Sequence, residues 1–165
     1  MISERNILSS VLLTDLYQLT MLQGYFDQCM EEKAVFEFFV RKLPRSRNFL
    51  VAAGLEQALE FLENLQFSAA ELDWIGKHGT FRPAFVRYLE NFRFTGDVHA
   101  MAEGTIFFSN EPILRVTAPI AQAQLVESRL INLLHFETLI ASKAARSVLM
   151  APDKVLVDFG LRRAH

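Results

Sequence analysis

Two adjacent arginines, Arg162 and Arg163, stand where this chain is best placed to do chemistry. Val155-Leu-Val157 reads as a short buried strand, Asp158 follows it, and Gly160 lets the backbone turn sharply before the pair. α/β proteins deliver polar groups to the carboxyl ends of strands in this way. Each guanidinium presents a planar fork able to donate two parallel hydrogen bonds to a carboxylate or phosphate. A solvated pair capping a strand fits the same residues equally well.

Other chemistries find less support. Asp158-Phe-Gly160 matches the protein-kinase tripeptide, but the Gly-rich loop, strand lysine and His-Arg-Asp loop of a kinase are missing upstream. A Gly-rich phosphate loop ending in Lys-Ser/Thr is missing too, as is Gly-x-Gly-x-x-Gly. His78, His99, His135 and His165 lack metal-ligand spacing, so surface or packing roles are favoured over ligation. From the residues alone, Tyr17 is by default a core or rim aromatic, and Arg41 a surface charge ending an aromatic strand. Lys143 and Arg146 lie on a helix face of small residues, whose default is a solvated edge.

Composition narrows the classes. The 165 residues are 51% hydrophobic and include 15 Phe, enough for a sizeable core. Seventeen Lys+Arg against 19 Asp+Glu give a net charge of −2 with no block of like charge. That balance argues against a general nucleic-acid or membrane-surface binder. The single cysteine, Cys29, excludes an internal disulfide, fits a reducing cytoplasm and reads as a packing residue. The amino terminus shows no basic region followed by an apolar core, so no signal peptide is expected. No membrane span is expected either.

Several elements must position the candidate residues. Leu12, Leu16, Leu19 and Gln23 fall at helical spacing, with Thr14 or Asp15 as cap and Gly24 and the polar run 27–33 as stop. Ala34–Leu43 reads as a strand with Phe36, Phe38 and Val40 on one face. Helices are expected after Gly54, over Ser68–Trp74 and from Pro83. From Gly96 the period shifts to short strands at Asp97–Met101, Thr105–Phe108 and Ile113–Thr117, divided by turn signals. Pro119 opens a helical stretch to about Met150, with room for a break over Asn132–Phe136.

With the elements laid out, the motifs match a known pattern. Thr14-Asp-Leu-Tyr-Gln-Leu-Thr-Met21, Phe39-Val-Arg-Lys-Leu-Pro44, Glu103-Gly-Thr105, Glu111-Pro112, Ala123-Gln-Leu-Val-Glu127, Asn132-Leu-Leu134, Thr138–Arg146 and Asp158–Ala164 resemble the nicotinate phosphoribosyltransferases, a type II phosphoribosyltransferase family. They occur in family order over nearly the whole chain, and the paired arginines favour nicotinate over nicotinamide. The resemblance implies an α+β amino-terminal domain over residues 1–118. A helical connection and the first strand of an incomplete α/β barrel would then occupy residues 119–165.

It also implies an activity: nicotinate and 5-phosphoribosyl-1-pyrophosphate joined to give nicotinate mononucleotide and pyrophosphate, coupled to ATP with Mg2+. By the same resemblance Tyr17 stacks on the pyridine ring in the site of a homodimeric partner. Asp15 lies near the ring, Phe159 is the facing aromatic, and Arg162 holds the substrate. Arg41 and Arg163 are phosphate-binding candidates, while Lys143 and Arg146 stay undecided. In the family a barrel of several hundred residues follows, with a histidine phosphorylated by ATP that is not equated with His165. No catalytic residue is therefore expected here, and the chain reads as a portion inactive alone. Its Val155–Val157 apolar faces would make it oligomeric or marginally soluble. A non-catalytic dimerisation module, or a nicotinamide or quinolinate enzyme, are the alternatives.

Overall fold

The computed structural model describes residues 10–160. In chain order they form α1 (Leu16–Asp27), β1 (Lys33–Phe39), β2 (Leu50–Val51), α2 (Leu55–Glu63) and α3 (Ala69–Lys77). Then come α4 (Pro83–Glu90), β3 (Asp97–Ala100), β4 (Ile106–Phe107), β5 (Pro112–Pro119) and α5 (Ile120–Met150). The architecture is mixed α+β. Arg162 and Arg163 lie outside the described residues.

β5 is the middle of a three-stranded antiparallel sheet ordered β1-β5-β3. Its Leu114, Val116 and Ala118 are buried in the main core. β1 alternates strictly between exposed and half-buried positions, so Ala34, Phe36 and Phe38 face inward, as the period of two requires. Opposite β5, Glu37 pairs with Arg115, whose Nε donates to Oε1 at 2.7 Å. This strand ends at Phe39, short of the expected Leu43. The register breaks between Phe38 and Phe39 opposite Pro112, which has no N–H to give. Beyond the bulge, Val40 is held through its carbonyl, which accepts from the Asn110 N–H.

The second sheet pairs β2 with β4, and its free edge is closed by side chains of α5. Ser142 Oγ accepts the Val51 N–H at 2.9 Å, and Thr138 Oγ1 accepts the Ala53 N–H at 3.3 Å. Arg146 Nη2 donates to the Phe49 carbonyl at 3.0 Å, its guanidinium 5.3 Å from the Phe49 ring centroid. Positions 138, 142 and 146 recur every fourth residue, so one helix stripe imitates a neighbouring strand. Arg146 is thereby a structural residue, while Lys143 is exposed. Gly54 brings α2 close to the same helix. At φ +94° its Cβ position would lie 2.9 Å from the Leu133 carbonyl, so a side chain there is excluded twice over.

α5 shows no break at Asn132–Phe136, because its 31 residues contain neither Gly nor Pro. α1 departs further from expectation. It starts at Leu16, runs through Gly24 to Asp27, and buries Gln18, Leu19 and Leu22, while Leu16 is exposed. Asp15 takes the N-cap position without a side-chain capping bond. The Thr14 hydroxyl is buried and unpartnered among the described residues. Cys29 is exposed rather than packed. It takes the left-handed position (φ 52°) after the helix, where Met30 N–H reaches back to the Tyr25 carbonyl.

The expected terminal strand does not form. Residues 155–157 join no ladder, and Val155 and Val157 are 92% and 68% exposed. A strand exists only through its partner's hydrogen bonds, and no described residue supplies them.

Two changes test this framework. A methyl group at Gly96 would sit 2.5 Å from Ala118 Cβ and 2.6 Å from the Thr117 carbonyl, both in β5. Gly96→Ala should therefore lower unfolding stability by about 1–3 kcal/mol, read from denaturant titration. Ser68 and Glu71 form a capping box on α3, and Glu71 Oε1 also accepts from Ser10 Oγ at 2.5 Å. Burial pushes the Glu71 carboxyl up, but hydrogen bonds from Ser10 and Ser68 outweigh it, leaving it below the ordinary 4.5. A carboxyl held low when folded stabilises fully above its unfolded value and loses that contribution as pH falls through the folded one. Glu71→Gln should flatten the acid limb of stability below about pH 4.5 and leave the alkaline limb unchanged.

Candidate functional site

An amide group removed from water is costly unless both of its ends are paired. Gln18, with no exposed surface, meets that demand between α1 and α5. Its Oε1 accepts from Gln124 Nε2 at 2.7 Å. Its Nε2 lies 3.0 Å from Glu127 Oε2, 3.1 Å from the Tyr17 hydroxyl and 3.3 Å from Ser128 Oγ. Two hydrogens thus serve three acceptors, and at least one bond is shared. Gln124 Nε2 also donates to Glu127 Oε2 at 3.0 Å, and Ser128 Oγ donates to Asp15 Oδ2 at 2.7 Å.

The arrangement has a definite polarity. The Asp15 and Glu127 carboxylates are acceptors when ionised, so they fix which end of each amide and hydroxyl faces them. Turning Gln18 over would set its oxygen against the Glu127 carboxylate. On this support, Asp15 and Tyr17 stand exposed at the start of α1, Tyr17 with 49% of its surface free. Met21, one helical turn beyond Tyr17, is also exposed, as is Leu13 in the turn before α1.

Among the described residues, Arg41 and Phe159 make no hydrogen bond to this network. Arg41 follows β1, exposed, with no ion pair among the described residues. Phe159 is 74% exposed and makes no aromatic contact among the described residues. Arg162 and Arg163 lie outside them. Glu103, part of a motif quoted above, has a structural role: Oε1 accepts the backbone N–H groups of Gly54 and Leu55 at 2.9 and 2.7 Å, capping α2. No group of three or more His, Cys, Asp or Glu among the described residues is placed to hold a metal ion.

Sequence reasoning missed Gln18, Gln124, Glu127 and Ser128 as a group. The signal was there in part: Gln18 is a polar residue beside Leu19 and Leu22 on the buried side of α1, and Gln124 lies among Ala121, Ala123, Leu125 and Val126 on α5. Recognising it required the correct phase of α1.

Residues 12–135 match the model of the nicotinate phosphoribosyltransferase (NAPRTase) N-terminal domain. The chain is 49% identical over 154 residues to nicotinate phosphoribosyltransferase pncB2 of Mycobacterium tuberculosis, covering 93% of this chain and 33% of that protein. To the nicotinate phosphoribosyltransferase of Bacillus subtilis it is 45% identical, covering 92% and 31%. Among solved structures, human nicotinic acid phosphoribosyltransferase superposes with a TM-score of 0.82 at 35% identity, over 93% of this chain and 32% of that one. The nicotinate-nucleotide pyrophosphorylase of Pyrococcus furiosus shares the fold, with a TM-score of 0.73 at 23% identity, over 99% and 35%. The chain spans about a third of the length of these relatives. With the family model matched over most of its length, the chain belongs to the nicotinate phosphoribosyltransferase family, as the amino-terminal domain of that family.

Proposed function

We propose that this chain supplies one wall of the pyridine site in an ATP-coupled nicotinate phosphoribosyltransferase acting as a homodimer. The enzyme joins nicotinate to 5-phosphoribosyl-1-pyrophosphate, giving nicotinate mononucleotide and pyrophosphate. The observation that carries this reading is the family match over residues 12–135, which includes the supported pair Asp15 and Tyr17.

Displacement at C1 of the ribose passes through an oxocarbenium-like state, where positioning and charge stabilisation matter more than a protein nucleophile. An electron-poor planar ring offers its faces and its carboxylate as handholds. In this reading Tyr17 stacks on one face, reaching into the partner's site, and Phe159 covers the other. Arg162 pairs with the carboxylate. Asp15 lies beside the ring, and Arg41 and Arg163 take phosphate oxygens.

Residues 155–159 become the first strand of the barrel once a neighbouring edge pairs with them. No group of three or more His, Cys, Asp or Glu among the described residues is placed to hold a metal ion, and by the family resemblance ATP and Mg2+ are held mostly by other parts of the whole protein.

The test uses the enzyme expressed from its natural reading frame. Arg162→Ala should lower kcat/KM for nicotinate about tenfold to 150-fold, the loss of one charge-assisted contact of ~1.5–3 kcal/mol. Unchanged nicotinate kinetics would remove Arg162 from the site. The 165-residue chain assayed by itself should form no nicotinate mononucleotide.

A further inference from the structure

The polarity of the α1–α5 network reaches the Tyr17 hydroxyl. An amide nitrogen can only donate, so toward Gln18 Nε2, 3.1 Å away, the phenolic oxygen can act only as an acceptor. Its own proton is then left for a partner on the open side of the helix, where Tyr17 is half exposed. Gln18 cannot present its oxygen instead. Its Nε2 is held by Glu127 Oε2 at 3.0 Å and its Oε1 by Gln124 Nε2 at 2.7 Å, and Gln124 is itself oriented by Glu127. One carboxylate, on α5, orients both amides.

We propose that Glu127, acting through Gln18, turns the Tyr17 hydroxyl into an outward hydrogen-bond donor for an anionic oxygen of a substrate. Tyr17 then contributes a directed polar contact as well as a ring face, and Glu127 and Gln18 are positioning residues. This rests on the proposed function, in which Tyr17 lines the site. The chemistry recognised is an acceptor oxygen with negative charge, available from the nicotinate carboxylate or from a phosphate of 5-phosphoribosyl-1-pyrophosphate. A donor fixed in advance pays no reorientation when the anion arrives, which is why its direction matters more than its mere presence.

The test is a double-mutant cycle in the enzyme from the natural reading frame, with KM measured separately for each substrate. Tyr17→Phe keeps the ring and deletes the proton. It should raise KM about tenfold for whichever substrate supplies the oxygen, identifying the source, since a bond to a charged group is lost. Glu127→Gln removes the charge that forces the orientation of both amides, so Gln18 is free to present its oxygen and draw the Tyr17 proton inward. It should raise the same KM by a similar factor and add nothing in the Tyr17→Phe background.

Independent, multiplying effects would overturn the inference, as would Tyr17→Phe leaving both KM values unchanged. Tyr17→Ala separates that failure from failure of the parent reading: a raised nicotinate KM keeps Tyr17 in the site, and an unchanged one removes it. Tyr17→Phe leaves Glu127 Oε2 and Ser128 Oγ to accept the two hydrogens of Gln18 Nε2, so it decides the point even if Glu127→Gln does not fold.

Discussion

The constraint on which the candidate site depends is the pairing of one buried amide. Gln18 has no access to water, and leaving either of its ends unpaired would cost on the order of 1–3 kcal/mol. Every partner it uses other than Tyr17 comes from α5: Gln124, Glu127 and Ser128. Rotating α1 by one residue would put Gln18 out of reach of all three. The same pairing that fixes the phase of α1 therefore fixes where Asp15 and Tyr17 emerge. Stability and site geometry are one problem here, solved by one residue.

α5 does comparable work along the rest of its length. Thr138, Ser142 and Arg146 stand in for a strand beside β2, and the close approach of Gly54 seats α2 against the same helix. A single uninterrupted helix thus sets the position of α1, of the small sheet and of α2. The three-stranded sheet packs against it through the buried face of β5, so α1, which bears Tyr17, and β1, which leads into Arg41, share one reference. Rigid elements hold side chains more closely than loops can.

Much of the fold was legible from pattern. The alternation of β1, the helix expected after Gly54 and Pro83 at a helix start each carry local physics strong enough to survive tertiary packing. What failed did so for identifiable reasons. The phase of α1 was misread because a buried glutamine looks polar, which hid the stripe formed by Gln18, Leu19 and Leu22. Two-residue β2 is too short for any periodicity, and it exists because α5 closes its free edge. Residues 155–157 have the composition of a strand, but composition cannot supply the partner that makes one. Of the site, Asp15, Tyr17 and Arg41 were reached through family motifs, whereas the Gln18–Gln124–Glu127 support became visible only once two helices 100 residues apart in sequence were placed together.

Tyr17 and Arg162 lie near opposite ends of the sequence, and the proposed site takes one from each of two subunits. Subunit mixing tests that most directly. Tyr17→Ala and Arg162→Ala enzymes, each impaired alone, would be co-expressed and assayed for nicotinate mononucleotide formation. If each site takes Tyr17 from one protomer and Arg162 from the other, a mixed two-fold dimer holds one intact and one doubly altered site. Random pairing should then restore about a quarter of wild-type activity. Activity no higher than the average of the two single variants would contradict the shared site.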